Sequence, residues 1–277
     1  MRFGGTATAI ALLMLAATVS ACGSSSTVTP KQKVTIEIEN FGEQVQVAVP
    51  RTVEAGVQEL IFRNQATGEH SAQLVRFDGK HSPAQVLHAA NAWGEGGKPL
   101  PDWIHLAGGF GALKSGQSGR GATRLVEGRY LAVDLEAHGK PVYSVFNVVG
   151  KADENPLPAA PASIKASEYS FSASGLTQGQ HRVLFQNTGN EPHMLAAAPL
   201  RTGATLADVR RFIKSEKGKP PIVDSKAIDL AVLDGKGSQT VDLDLEPGKY
   251  ALLCFVPDRK GGPPHIARGM ISAADVR

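Results

Sequence analysis

The chain has 277 residues, enough for about two ordinary domains. Its 30 glycines and 17 prolines, set against only 6% aromatic residues, suit a loop-rich β protein better than a helical bundle. The formal charge is +3 and no run of Lys or Arg forms a basic patch, which argues against nucleic acid or an anionic membrane face as an electrostatic partner.

Arg2 gives the chain a positive start, and Ile10 to Leu15 is an apolar stretch too short to span a bilayer. Small residues follow, ending in Val19-Ser20-Ala21-Cys22. This run resembles the lipobox of bacterial lipoproteins. The resemblance implies that residues 1–21 are a signal peptide and that Cys22, acylated on sulfur, becomes the new N-terminus. The protein would then be extracytoplasmic and held at the membrane by lipid. An ordinary signal peptide with a chance Cys is the plainer alternative. Residues 22–30, rich in Ser and Thr, read as a flexible tether. With Cys22 taken by the anchor, Cys254 is the one thiol left in an oxidising compartment. It is a metal ligand, half of an intermolecular disulfide, or a buried inert residue.

From Lys31 onward the periodicity is two. Val34, Ile36 and Ile38 alternate with Thr35, Glu37 and Glu39, as a strand buried on one face requires. Gly56 to Phe62-Arg-Asn64, continuing to His70, is matched without gaps by Gly179 to Phe185-Gln-Asn187, continuing to His193. Gly97-Lys-Pro99 is echoed by Gly218-Lys-Pro220, and Gly128-Arg-Tyr130 by Gly248-Lys-Tyr250. The chain is therefore a duplication. Its copies are expected over 31–150 and 162–277, joined by the polar, Pro-rich linker 151–161. One helical pattern interrupts each copy, near Pro83 to Trp93 and near Thr205 to Lys214. Trp93 and Trp103 flank a Gly-rich stretch, 94–111, fit either to cover a partner site or to pack as an ordinary loop. Late in the second copy Val241, Leu243 and Leu245 alternate with Thr240, Asp242 and Asp244. Short strands with one inserted helix per copy predict an all-β chain of two tandem sandwiches.

The second copy carries Asn187-Thr-Gly-Asn-Glu-Pro-His193, then Tyr250-Ala-Leu-Leu-Cys254-Phe-Val-Pro257, then Pro264-His265-Ile-Ala-Arg-Gly269-Met270. This order resembles the copper-binding pattern of the cupredoxins, or blue copper proteins, across the whole second copy; the first copy shares the fold pattern alone. The resemblance implies Greek-key β-sandwiches and one copper ion held by His193, Cys254, His265 and Met270. A thiolate and two imidazoles form a trigonal set that suits both oxidation states of copper, with a thioether as a weak axial cap. Tyr250, Leu252 and Cys254 share a strand face, so the sulfur should point inward. Gly189 and Gly269 are expected to permit the turns that bring His193 and Met270 in. Met194 should pack beside the site.

Ten residues separate Cys254 from His265, more than most blue copper proteins use, although copper nitrite reductases have a longer loop with a similar ending. Those enzymes, like multicopper oxidases, place a His directly before the Cys to hold a catalytic copper. Leu253 stands there in this chain, which implies no enzymatic reduction. In the first copy His70 aligns with His193, but Asp134 replaces Cys254. On the Pro141 alignment Val142 replaces His265 and Asn147 replaces Met270, so that copy should hold no metal. His81, His88, His105, His138 and His181 show no metal-ligand spacing. The leading expectation is single-electron transfer with a redox partner protein. The alternatives are a copper-free interaction or envelope-structural module, and copper sequestration; the lack of Met-rich or His-rich tracts weighs against the last.

Overall fold

The computed structural model describes residues 30, 32–137, 141–215 and 217–277. The signal segment and Cys22 lie outside them. The first half contains β1 (Gln32–Phe41), β2 (Gln44–Ala48), β3 (Thr52–Glu54), β4 (Gly56–Asn64), β5 (His70–Phe77), α1 (Pro83–Gly94), β6 (Ile104–Leu113), β7 (Ser118–Leu125), β8 (Gly128–Asp134) and β9 (Val142–Val149). The second contains β10 (Ala162–Ser167), β11 (Ser170–Ser174), β12 (Gly179–Asn187), β13 (His193–Pro199), α2 (Leu206–Ser215), β14 (Ile228–Leu233), β15 (Ser238–Leu245), β16 (Gly248–Leu253) and β17 (Ile271–Val276). No helix among the described residues is long and apolar enough to cross a membrane.

The duplication is visible strand for strand. One sheet of each sandwich runs β2-β1-β4-β7 in the first half and β11-β10-β12-β15 in the second. The opposing sheets run β9-β8-β5-β6 and β17-β16-β13-β14, with β3 added at the β9 edge. In each half the first strand pairs in parallel with the third core strand, β1 with β4 and β10 with β12. The alternation read from sequence gives the burial: Val34, Ile36 and Ile38 are core, as are Val241, Leu243 and Leu245. Each sandwich has its own apolar interior, one built around Phe62, Tyr130 and Phe146, the other around Phe185, Tyr250 and Leu252. Helix α1 starts where Ser82 and Gln85 form a reciprocal capping box ahead of Pro83. Trp93 in its last turn is buried.

The halves are not the separate bodies that a linker suggests. Residues 151–160 carry no strand or helix, yet both sheets continue from one half into the other. Edge strand β7 pairs antiparallel with β15, and β6 with β14. Gly121 pairs with Val241, and the same offset relates Gly128 to Gly248, so the paired residues are equivalents in the two copies. Antiparallel pairing of a residue with its own equivalent is an approximate two-fold axis, the arrangement of a symmetric dimer fused into one chain. A methyl at Gly121 would lie 2.3 Å from the Thr240 carbonyl oxygen, so the strands approach this closely only with glycine. Two buried amides tighten the junction. Gln73 accepts from Val232 N–H at 2.8 Å and donates to Val232 C=O at 3.1 Å. Gln239 accepts from Gly109 N–H at 2.9 Å and donates to Gly109 C=O at 3.2 Å. Each side chain thus imitates a strand partner across the junction.

Candidate metal centre

The three donors of the second half arrive from separate elements, each fixed by backbone bonds. His193 opens β13 directly after a turn pinned by the buried Asn187. The Asn187 amide donates to Glu191 C=O at 2.7 Å and Leu233 C=O at 3.1 Å, and its oxygen accepts from Gly189 N–H at 3.0 Å. Asn64 repeats this pattern in the first half, donating to Gly68 and Leu113 and accepting from Ala66. The repeated asparagine is therefore what sets each loop that delivers a histidine. Cys254 ends the β16 strand face shared by Tyr250 and Leu252, and all three lie in one buried cluster with Met270. Its carbonyl accepts from Ile266 N–H at 2.8 Å, which draws the far end of the loop back to the sulfur. His265 begins a 3-10 turn closed by Gly269, whose φ of 93° suits glycine. Met270 N–H donates to His265 C=O at 3.0 Å. Gly189 has a different reason for being glycine: a methyl there would lie 2.6 Å from the Glu168 carboxylate.

The geometry is compact. Nδ1 of His193 lies 3.0 Å from Nδ1 of His265, and the Cys254 sulfur lies 3.8 and 3.5 Å from these two nitrogens. His193, Cys254, His265 and Met270 are all fully buried. Nε2 of His265 lies 2.9 Å from the Asp258 carboxylate, which only accepts, so the imidazole proton sits there and Nδ1 presents its lone pair inward. Asp258 is itself held by Arg268 at 2.7 Å and by the Tyr169 hydroxyl at 3.1 Å. Burial pushes the Cys254 thiol up to about 11. Burial, with the neighbouring His265, pulls His193 down to about 4, and burial also lowers His265 against the opposing pull of Asp258. The imidazoles are thus neutral donors at pH 7, and the thiol needs a cation to ionise.

Among the described residues this is the one group of three or more His, Cys, Asp or Glu placed to share a metal ion. A trigonal ion bonded at about 2.0 Å to nitrogen and about 2.3 Å to sulfur needs donor separations of roughly 3.5–3.7 Å. The two sulfur–nitrogen separations, 3.5 and 3.8 Å, fit within about 0.2 Å, and the nitrogens, 3.0 Å apart, need to part by about half an ångström. Two imidazoles and a thiolate, with a thioether in the same cluster, are the donor set of a mononuclear copper site. The donors fit one copper ion. Met194 is partly buried and packs against the cluster that contains Cys254 and against two others.

The corresponding place in the first half is closed by an ion-pair geometry. His70 Nδ1 lies 2.6 Å from Asp134, whose other oxygen accepts from Ser71 N–H at 2.9 Å. His70 Nε2 lies 3.1 Å from the Thr67 carbonyl. The strand register corrects the alignment on Pro141. Asp134 pairs with Val142 and Arg129 with Asn147, while Lys249 pairs with Asp275 and Leu253 with Ile271. Val142 therefore corresponds to Met270 rather than to His265, and Asn147 to Asp275. The second half joins β16 to β17 through residues 254–270, against 135–141 between β8 and β9, so His265 and its loop are an insertion with no counterpart. Asp258, Tyr169 and Arg268 were not singled out by sequence; the length of the loop was the one signal that pointed to Asp258, and none pointed to the other two.

Sandwich and donor set together resemble the cupredoxin arrangement expected from the sequence. In structure the chain is similar to auracyanin from Roseiflexus castenholzii, with 22% identity over 42% of this chain and 94% of that one and a TM-score of 0.28. Auracyanin A of Chloroflexus aurantiacus, a blue copper protein, gives 21% identity over 42% and 99%, with a TM-score of 0.30. The copper nitrite reductase of Nitrosomonas europaea gives 12% identity over 90% and 94%, with a TM-score of 0.26. No family profile matches the chain, and no curated protein sequence does.

Proposed function

We propose that this protein is a membrane-tethered, extracytoplasmic carrier of single electrons, working through one copper ion in its second half. The observation that carries the reading is the buried His193–Cys254–His265 triad with Met270 in the same cluster. Copper bound there would accept and release one electron. The chain's own part is to keep the donors in place in both states. Nδ1 of His265 is aimed by the Asp258 contact, His193 by the Asn187 turn, and the sulfur by the β16 face. Full burial of all four side chains keeps water away and leaves little room for rearrangement. Phe255, peptide-bonded to Cys254 and 49% exposed, brings the protein surface within one residue of the sulfur. Leu253, in place of a histidine, supports a carrier rather than an enzyme, because it offers no donor for a neighbouring ion. The support for the tether is the run that ends at Cys22.

The test is a reductive titration of the copper-loaded chain. One electron per copper is expected, reversibly, with nitrite and dioxygen left unreduced in steady state. Sustained turnover of either would establish an enzyme instead.

A further inference from the structure

Residues 255–264, the loop between Cys254 and His265, lie against the first half. The indole N–H of Trp93, at the end of α1, donates to the Asp258 carbonyl at 2.7 Å. Leu100 N–H donates to Arg259 C=O at 2.7 Å, and Gly262 N–H to Gly96 C=O at 3.0 Å. In the other direction the Arg259 guanidinium donates to the carbonyls of Pro101 and Ile104 at 3.1 and 3.2 Å. Two of these bonds join backbone to backbone, and glycines make that approach possible. A methyl at Gly96 would lie 2.6 Å from the Gly262 oxygen, and one at Gly261 would lie 3.1 Å from the Lys98 oxygen. On the inner side of the same loop Asp258 holds Nε2 of His265 at 2.9 Å. The main chain of Asp258 is thus gripped by the first half while its side chain grips the ligand histidine.

A ten-residue connection fixed only at its ends pays conformational entropy for every ordered residue, and one with two glycines pays more. The contacts with residues 93–104 offset that cost at residues 258–262. We propose that the first half, which lacks the ligand loop, is a brace for the metal centre: Trp93, Gly96 and Leu100 fix the backbone of 258–262 so that Asp258 keeps Nδ1 of His265 turned toward Cys254 and His193. Trp93 and Asp258 are positioning residues in this arrangement, one acting through the other. The duplication then has a function in its second copy that needs the first. The inference deepens the copper reading and rests on it for its role, but the brace can be read without metal.

The test compares Trp93→Phe and Asp258→Asn with wild type in the full chain. Hydrogen exchange on the apo protein is expected to be roughly ten-fold faster at 258–262 in Trp93→Phe, the loss of one buried hydrogen bond. Exchange in β12 and β15 should stay unchanged, which shows that the fold survives. Asp258→Asn should leave exchange at 259–262 as in wild type, because its backbone docking is intact. Both variants should release copper to a chelator at least about ten-fold faster, the usual effect of losing an outer partner of a ligand histidine. If Trp93→Phe does not fold, Gly261→Ala disturbs the same contact from the loop side. Wild-type exchange in the loop of the folded variant would overturn the brace. A wild-type chain that takes up no copper would instead overturn the copper reading, with the exchange result still deciding the brace.

Discussion

Cys254 is kept as a thiol by its burial, which outweighs the backbone hydrogen bonds that favour the thiolate. Loading at pH 7 must therefore expel its proton. His193, held down to about 4, and His265, also lowered, are already neutral and give up none on balance. One proton is expected per copper bound, measured by calorimetry in buffers of different ionisation enthalpy; none released would mean that the thiolate is not a ligand. The donors were legible in the sequence because their chemistry resides in residue type and order. Cys254 was the one cysteine beyond the N-terminal run that ends at Cys22, and His265 and Met270 followed it in turn-rich sequence. Asp258 was not legible, because its value depends on the path of a loop across another half of the molecule. Val142 and Asn147 were misplaced because an alignment anchored on Pro141 cannot see that the second half carries extra residues before β17.

At the level of strands, alternation and punctuation were enough to give β1, β15 and both helices. What they could not give was the meeting of β7 with β15 and β6 with β14, because an edge strand has the same pattern as a paired one. Gln73 and Gln239, amides buried within β5 and β15, are the residues that betray the junction. Gln73 satisfies the N–H and C=O of Val232 and also donates to the Gly108 carbonyl at 3.1 Å. Gln73→Leu keeps the volume near constant but strands those groups away from water. It is expected to destabilise the protein by roughly 1–3 kcal/mol in chemical denaturation. An unchanged midpoint would show that the two halves are not held together there.

The described residues form a duplicated sandwich joined about Gly121 and Val241, with one group of His and Cys placed to share a metal ion. The duplication was legible from matched Gly, Phe, Asn and His offsets; its two-fold junction was not. The largest difference between the halves is the loop that carries His265 and docks on the first half. At this scale the tether is tested by Cys22→Ala. The variant is expected to leave the membrane fraction or to remain unprocessed, and one that still carries lipid would refute the lipobox reading. The most direct measurement of the copper site is the absorption spectrum of copper-loaded wild type beside Cys254→Ser. Wild type should bind one copper per chain and show an intense thiolate-to-copper band that reduction bleaches and reoxidation restores. Cys254→Ser should lose the band, because a hydroxyl cannot supply the covalent sulfur donor. A colourless copper-saturated wild type, or full metal retention by Cys254→Ser, would contradict the electron-carrier account.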